Sequence, residues 1–152
     1  MEPTAQPTIV GIDVSKDRLD VAILPHGEAF FVTRDAAGID DLAARLLPLA
    51  PAAVALEATG GYESIVAASL SGAGLPVLVL NPAQIRAFAK AIGQRAKTDP
   101  IDARLIATFV LATNPPIRPL PDEAMARLND LVARRRQIIA MMVAERQRLK
   151  RF

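Results

Sequence analysis

The stretch Asn114-Pro115-Pro116-Ile117-Arg118-Pro119-Leu120-Pro121 constrains this chain more than any other segment. Proline fixes φ, lacks a backbone N–H and pushes the residue before it out of the helical region. Four prolines in eight residues therefore exclude both helix and interior strand, and 114–121 reads as a linker. It divides the 152 residues into a domain over 1–113, long enough to bury one core, and a tail over 122–152.

Within the first part, Ile9 to Val14 reads as a buried strand, Leu19 to Leu24 as a second after a tight turn, and Ala29 to Thr33 as a third. Together they predict an antiparallel meander. Ile39, Leu42, Ala43, Leu46 and Leu47 then fall at helical spacing until Pro48 stops the pattern. Pro51 to Ala58 is a short apolar strand carrying Glu57 at its end, and Tyr62 to Leu70 fits a helix closed by Gly72 and Gly74. Pro76 to Leu80 is again wholly apolar, so this strand, helix and strand predict a crossover with parallel pairing. Two further helices are expected over 82–92 and 100–112. The class is α/β, a mixed sheet with flanking helices.

The tail contains no helix breaker. Leu128, Leu131, Ile138, Met142, Leu149 and Phe152 keep alternating three- and four-residue spacing, interrupted at Arg135 and Glu145, which predicts an imperfect coiled-coil seam and self-association through this helix. The pattern runs to the last residue without a C-cap, so a longer protein is expected. Residues 1–117 carry nine basic and twelve acidic side chains, whereas 118–152 carry nine and four. A second basic group lies at Arg86, Lys90, Arg95, Lys97 and Arg104. Such clusters suit a polyanionic partner, although a charged helix stripe is commonly just a solvated face.

The chain has no cysteine and a single histidine, His26, which closes off disulfides, thiolate chemistry and the usual zinc sites. Any metal must sit on oxygen. The N-terminus has no signal-like pattern and no apolar run approaches the roughly 20 residues a bilayer needs, so a cytoplasmic protein is expected.

Asp13 follows Ile9-Val10-Gly11-Ile12, and Glu57 follows Val54-Ala55-Leu56, so both carboxylates emerge where buried strands end. Burying a lone carboxylate costs several kcal/mol unless it is paired or metal-bound. The alternative for Asp13 is a turn residue capping the bend at Ser15-Lys16. Asp99 and Asp102 stand three apart at a helix start, where they could share an ion or act as cap and first-turn acid around Pro100. Taken together, four oxygen donors near one sheet edge suit Mg²⁺ or Mn²⁺, and two such ions support in-line phosphoryl transfer. Lys16, Arg95 and Lys97 would then flank the site as phosphate contacts, with Arg104, Arg134 and Arg135 as further nucleic-acid contacts; the alternative is ordinary surface charge.

Three segments carry a resemblance. They are Gly11-Ile12-Asp13-Val14-Ser15-Lys16, Leu56-Glu57-Ala58-Thr59-Gly60-Gly61-Tyr62, and Lys97-Thr98-Asp99-Pro100-Ile101-Asp102-Ala103 with Asn81-Pro82 ahead of it. In order and spacing the chain resembles the DEDD transposases of the insertion-sequence one-ten group, bacterial proteins related to the Piv invertase. The resemblance implies a ribonuclease-H-like (RuvC-like) fold in which Asp13, Glu57, Asp99 and Asp102 are the catalytic, metal-binding acids. It also implies DNA as substrate, a structured bridge RNA as partner, and a further domain supplying a nucleophilic serine. None of Ser15, Ser64, Ser69 and Ser71 lies in the region that would match that serine.

Two other readings stay open at this level. An ATPase of the actin and sugar-kinase fold begins with a similar Gly-Ile-Asp strand and hairpin, but it needs two such domains and a second Asp-Gly-rich phosphate loop. A non-catalytic assembly module that binds nucleic acid would use the four acids only as caps and turn formers.

Overall fold

The computed structural model describes residues 5–93, 101–120 and 123–151. Five strands form one sheet: β1 (Ile9–Val14), β2 (Arg18–Leu24), β3 (Glu28–Thr33), β4 (Ala53–Glu57) and β5 (Val77–Leu80), in the order β3-β2-β1-β4-β5. The first three pair antiparallel, while β1 with β4 and β4 with β5 pair parallel. The helices are α1 (Ala36–Leu46), α2 (Tyr62–Gly72), α3 (Pro82–Ala91), α4 (Ala103–Thr113) and α5 (Glu123–Leu149). A three-residue 3-10 turn, Leu47–Leu49, follows α1 where Pro48 ends the helical pattern. The meander, the parallel pair and the flanking helices form the ribonuclease-H-like arrangement that the motifs imply.

By contacts the chain divides into two units, residues 1–118 and 119–152. In the first, alternation sorts the strand residues onto two faces. Ile9 of β1, Ala53 and Ala55 of β4, and Leu78 and Leu80 of β5 pack with Ile85 and Ala89 of α3 and with Leu105, Ile106, Phe109 and Val110 of α4. Phe88 and Phe109 meet edge to face at 5.5 Å between the two helices. On the other face Val10, Ile12, Leu19, Val21, Val54 and Leu56 are fully buried. They belong with Ile39, Leu42 and Leu46 of α1 and Val66 and Leu70 of α2, helices that pack on β3 and on β4 and β5.

α4 lies on a lane of small residues. Ala29, Ala22, Gly11 and Ala55 are successive cross-strand neighbours from β3 to β4. At Gly11 the approach is so close that an added Cβ would stand 2.0 Å from the Ala103 carbonyl oxygen and 2.8 Å from the Ala107 nitrogen. The helix therefore rests directly on the β1 backbone.

The start of α4 differs from the sequence expectation. The cap is Asp102, extended at φ −112° and ψ 170°, with its carboxylate accepting from Leu105 N at 2.8 Å, and the helix begins at Ala103. Buried Ile101 just before the cap and buried Ile106 four residues after it share the same core, a hydrophobic staple that fixes the entry of the chain.

The second unit is α5. Leu131, Ile138, Met142 and Leu149, the seam positions described by the structure, are all exposed, Leu149 to 73%. No helix among the described residues is long and apolar enough to cross a membrane.

Candidate catalytic site

One step along the strands from the small-residue lane, the same sheet face turns acidic. Phe31 of β3 pairs with Asp20 of β2, and Asp20 with Asp13 of β1. Ile12 pairs with Leu56, so Asp13 and Glu57 are the next residues on two adjacent parallel strands and share that face. Directly paired residues lie on one side of a sheet. A row Phe31–Asp20–Asp13–Glu57 thus crosses four strands. α4, held down on Gly11, brings Asp102 to the same edge: a pocket of about 420 Å³ is lined by Asp13, Asp20, Phe31, Asp102 and Arg104 among others.

The charges in this row oppose one another. Burial pushes the Asp13 carboxyl above its ordinary pKa, Asp20 and Asp102 push it further, and Arg18 pulls it back. Burial likewise raises Glu57, with Asp13 adding to the effect and Arg86 counteracting it. The Oε2 atom of Glu57 is buried and accepts no hydrogen bond, the one such side-chain atom among the described residues. Asp102 spends one oxygen on the cap of α4.

The loops that follow these strands are tied down. After Glu57 the chain turns through Gly60 and Gly61, at φ 80° and 117°, values that a side chain would strain. The Oε2 atom of Glu63 accepts from Thr59 N at 3.0 Å, Thr59 Oγ1 at 3.2 Å and Gly61 N at 3.0 Å. Burial works against its ionisation, but these donors and its own N–H outweigh it and hold Glu63 below its ordinary pKa. The Thr-Gly-Gly-Tyr-Glu segment is therefore a closed turn that aims Glu57. Arg34 links it to the β1–β2 turn: its Nε donates to the Lys16 carbonyl at 2.6 Å while its guanidinium lies 4.8 Å from the centre of the Tyr62 ring.

Of the sequence-derived residues, Asp13, Glu57, Asp102 and Arg104 thus gather at one edge, and Lys16 is exposed in the turn just beyond Asp13. Arg134 and Arg135 are exposed on α5, Arg134 donating to Gln137 Oε1 at 3.3 Å. Asp99, Arg95 and Lys97 lie outside the described residues. Asp20, Arg18 and Phe31 belong to the site's surroundings and were not singled out by sequence, whereas Arg86, noted there only within a basic group, counteracts the rise at Glu57. Asp20 was legible in principle, because a hairpin turning over Lys16-Asp17 sets it opposite Asp13.

Among the described residues no three acids close into a cage for an ion by themselves. The donor set is nevertheless all oxygen, and the buried Glu57 atom without a donor, beside the half-buried Asp13 carboxylate, is the environment that a hard cation neutralises. Asp13 and Glu57, with Asp102 at the pocket, are the described residues that fit such an ion.

Comparison with known proteins agrees with the motifs. The chain is 29% identical to the pilin gene-inverting proteins of Moraxella lacunata and Moraxella bovis over 147 residues, 93% of this chain and 46% of each relative. It therefore spans about half the length of these curated relatives. Among solved structures it is similar to Thermus thermophilus RuvC, with TM-score 0.45 and 18% identity over 70% of this chain and 96% of that one. It is also similar to an Arthrobacter polyphosphate/ATP-glucomannokinase, with TM-score 0.40 and 21% identity over 56% of this chain and 48% of that one. The pattern of one family, described as Transposase, matches residues 10–152, nearly the whole sequence. The chain belongs to that family, the DEDD transposases of the insertion-sequence one-ten group.

Proposed function

We propose that this chain is the metal-dependent phosphoryl-transfer part of a DNA transposase, acting in the bacterial cytoplasm, with Asp13, Glu57, Asp99 and Asp102 holding Mg²⁺ or Mn²⁺. The observation that carries the reading is the buried Oε2 of Glu57, which has no hydrogen-bond donor and stands close enough to Asp13 for the two charges to oppose each other. Leaving such a group unpaired costs more than an ordinary hydrogen bond returns, and a divalent cation removes that cost. When bound, such ions activate the attacking oxygen and stabilise the leaving oxygen of an in-line displacement.

The chain's own residues orient and attract. Asp13 and Glu57 are held in register by β1 and β4, and Asp102 by the seat of α4 on Gly11. Lys16, Arg95, Lys97 and Arg104 contact DNA phosphates around the acids, and Arg134 and Arg135 on α5 add contacts farther along the nucleic acid. The remaining parts of the proposal rest on family membership. They are a bridge RNA as guide, a homo-oligomer joined through α5, and a further domain bringing the serine nucleophile. Residues 1–152 alone accordingly bind metal and nucleic acid but do not complete strand exchange.

The test is an anomalous-scattering map from crystals soaked in Mn²⁺. A peak within about 2.5 Å of Asp13 and Glu57 oxygens, lost in Asp13→Asn, is expected. Crystals that take up no Mn²⁺ at this edge, with or without bound DNA, would sink the reading.

A further inference from the structure

The open margin of the catalytic face carries groups that metal binding leaves unused. Phe31 is 60% exposed on an edge strand, in the same cross-strand row as Asp13. α4 covers β1, β2 and β4, and the β3 side of this face stays open as the pocket. Arg18 lies over the Phe31 ring, 4.3 Å from its centre, and is paired with the Asp20 carboxylate, Nε to Oδ2 at 3.2 Å. Arg104, in the first turn of α4, is exposed at the same pocket.

A single exposed phenyl is unremarkable by itself. Its position is what matters: two strands, about 10 Å, from the Asp13 column, the reach from a reacting phosphate to a neighbouring base. Aromatic and guanidinium faces beside basic groups are how proteins hold unpaired strands. The pocket volume of about 420 Å³ admits a base. Between Phe31 and Asp13 the row holds Asp20, and the adjoining row of the lining, Ala22 and Ala29, is apolar.

We propose that Phe31 and Arg18 form a stacking platform for an unpaired base of the DNA strand whose phosphate is presented to Asp13. Asp20 is the positioning residue that holds Arg18 flat over the ring, and Arg104 meets the backbone phosphate on the opposite lip. This rests on the phosphoryl-transfer reading above and adds that the strand arrives unpaired, over β3.

The experiment uses the full chain with Ca²⁺ and a single-stranded DNA oligonucleotide carrying 5-iodouracil, with photocrosslinks mapped by mass spectrometry and affinity read by fluorescence anisotropy. A crosslink at Phe31 is expected. Phe31→Ala should weaken single-strand binding about tenfold, as loss of one stacked base does, with Phe31→Tyr retaining it and duplex binding unchanged. Unchanged single-strand affinity in Phe31→Ala, or crosslinks confined to residues other than Phe31 and Arg18, would overturn the proposal. Mn²⁺ binding measured on the same samples separates the two levels. If Mn²⁺ binds through Asp13 and the platform variants behave like wild type, only the platform fails; if Mn²⁺ does not bind, the reading beneath it fails as well.

Discussion

Asp13 and Glu57 ionise against their surroundings, and that has a consequence for stability. Both carboxyls sit above their ordinary pKa values, chiefly through burial. The folded chain therefore holds these protons more tightly than the unfolded chain, and without metal their contribution to stability falls as pH rises through and above the carboxylate range. Asp13→Asn or Glu57→Gln should accordingly raise the thermal midpoint by a few degrees in EDTA at pH 7. Mg²⁺ should raise the midpoint of the wild type, and the same changes should abolish that rise. Thermal scans with and without metal check this, and a midpoint lowered by both substitutions would contradict it. At this scale sequence revealed Asp13 and Glu57 because an acid closing an apolar run is conspicuous. Asp20 escaped notice because it sits inside a strand, where an acid reads as the solvated half of an alternation until pairing sets it opposite Asp13.

The element that decides the site is α4. Its distance from the sheet is set by Gly11, where a methyl group would meet the helix backbone rather than a flexible side chain. Gly11→Ala should cost about 1–3 kcal/mol by overpacking, and because Asp102 caps α4 it should also weaken Mn²⁺ binding in the molecules that fold. Gly38→Ala is the control. A Cβ there would stand 1.9 Å from the Thr33 carbonyl oxygen, at the α1–β3 contact, so it should destabilise comparably and leave metal affinity alone. Denaturant titration paired with Mn²⁺ binding distinguishes these outcomes; equal loss of affinity in both variants would remove α4 from its positioning role. Strands and helices were legible here because burial on both faces writes a continuous apolar run into β4, and β5 is apolar throughout although Val79 is exposed. The cap of α4 was not, since Asp99 before Pro100 is locally the better signal and the staple of Ile101 with Ile106 is a tertiary fact.

For the whole molecule, the exposed seam of α5 is the feature that calls for a partner. Leu131, Ile138, Met142 and Leu149 present apolar surface along one seam, separated by seven, four and seven residues because Arg135 and Glu145 hold the positions between. Replacing Ile138 and Met142 together by Gln should lower the solution mass in sedimentation without changing the folding of the first unit; an unchanged mass, or a wild type that is already monomeric, would count against association through this helix. Binding of nucleic acid to the whole chain should weaken steeply with salt, given the nine basic and four acidic side chains beyond residue 117. Sequence conveyed the order of elements along the chain, but the meeting of Phe31, Asp20, Asp13 and Glu57 in one row depends on four strands finding register together. The lane of small residues beneath that row adds a last point. Because contact distance between backbones, rather than attraction between charges, sets where the acids stand, a chain stripped of its carboxylates should keep their arrangement. Such an inert replica, on the proposed function, would hold a DNA strand without acting on it and so offer a way to see the proposed substrate in place.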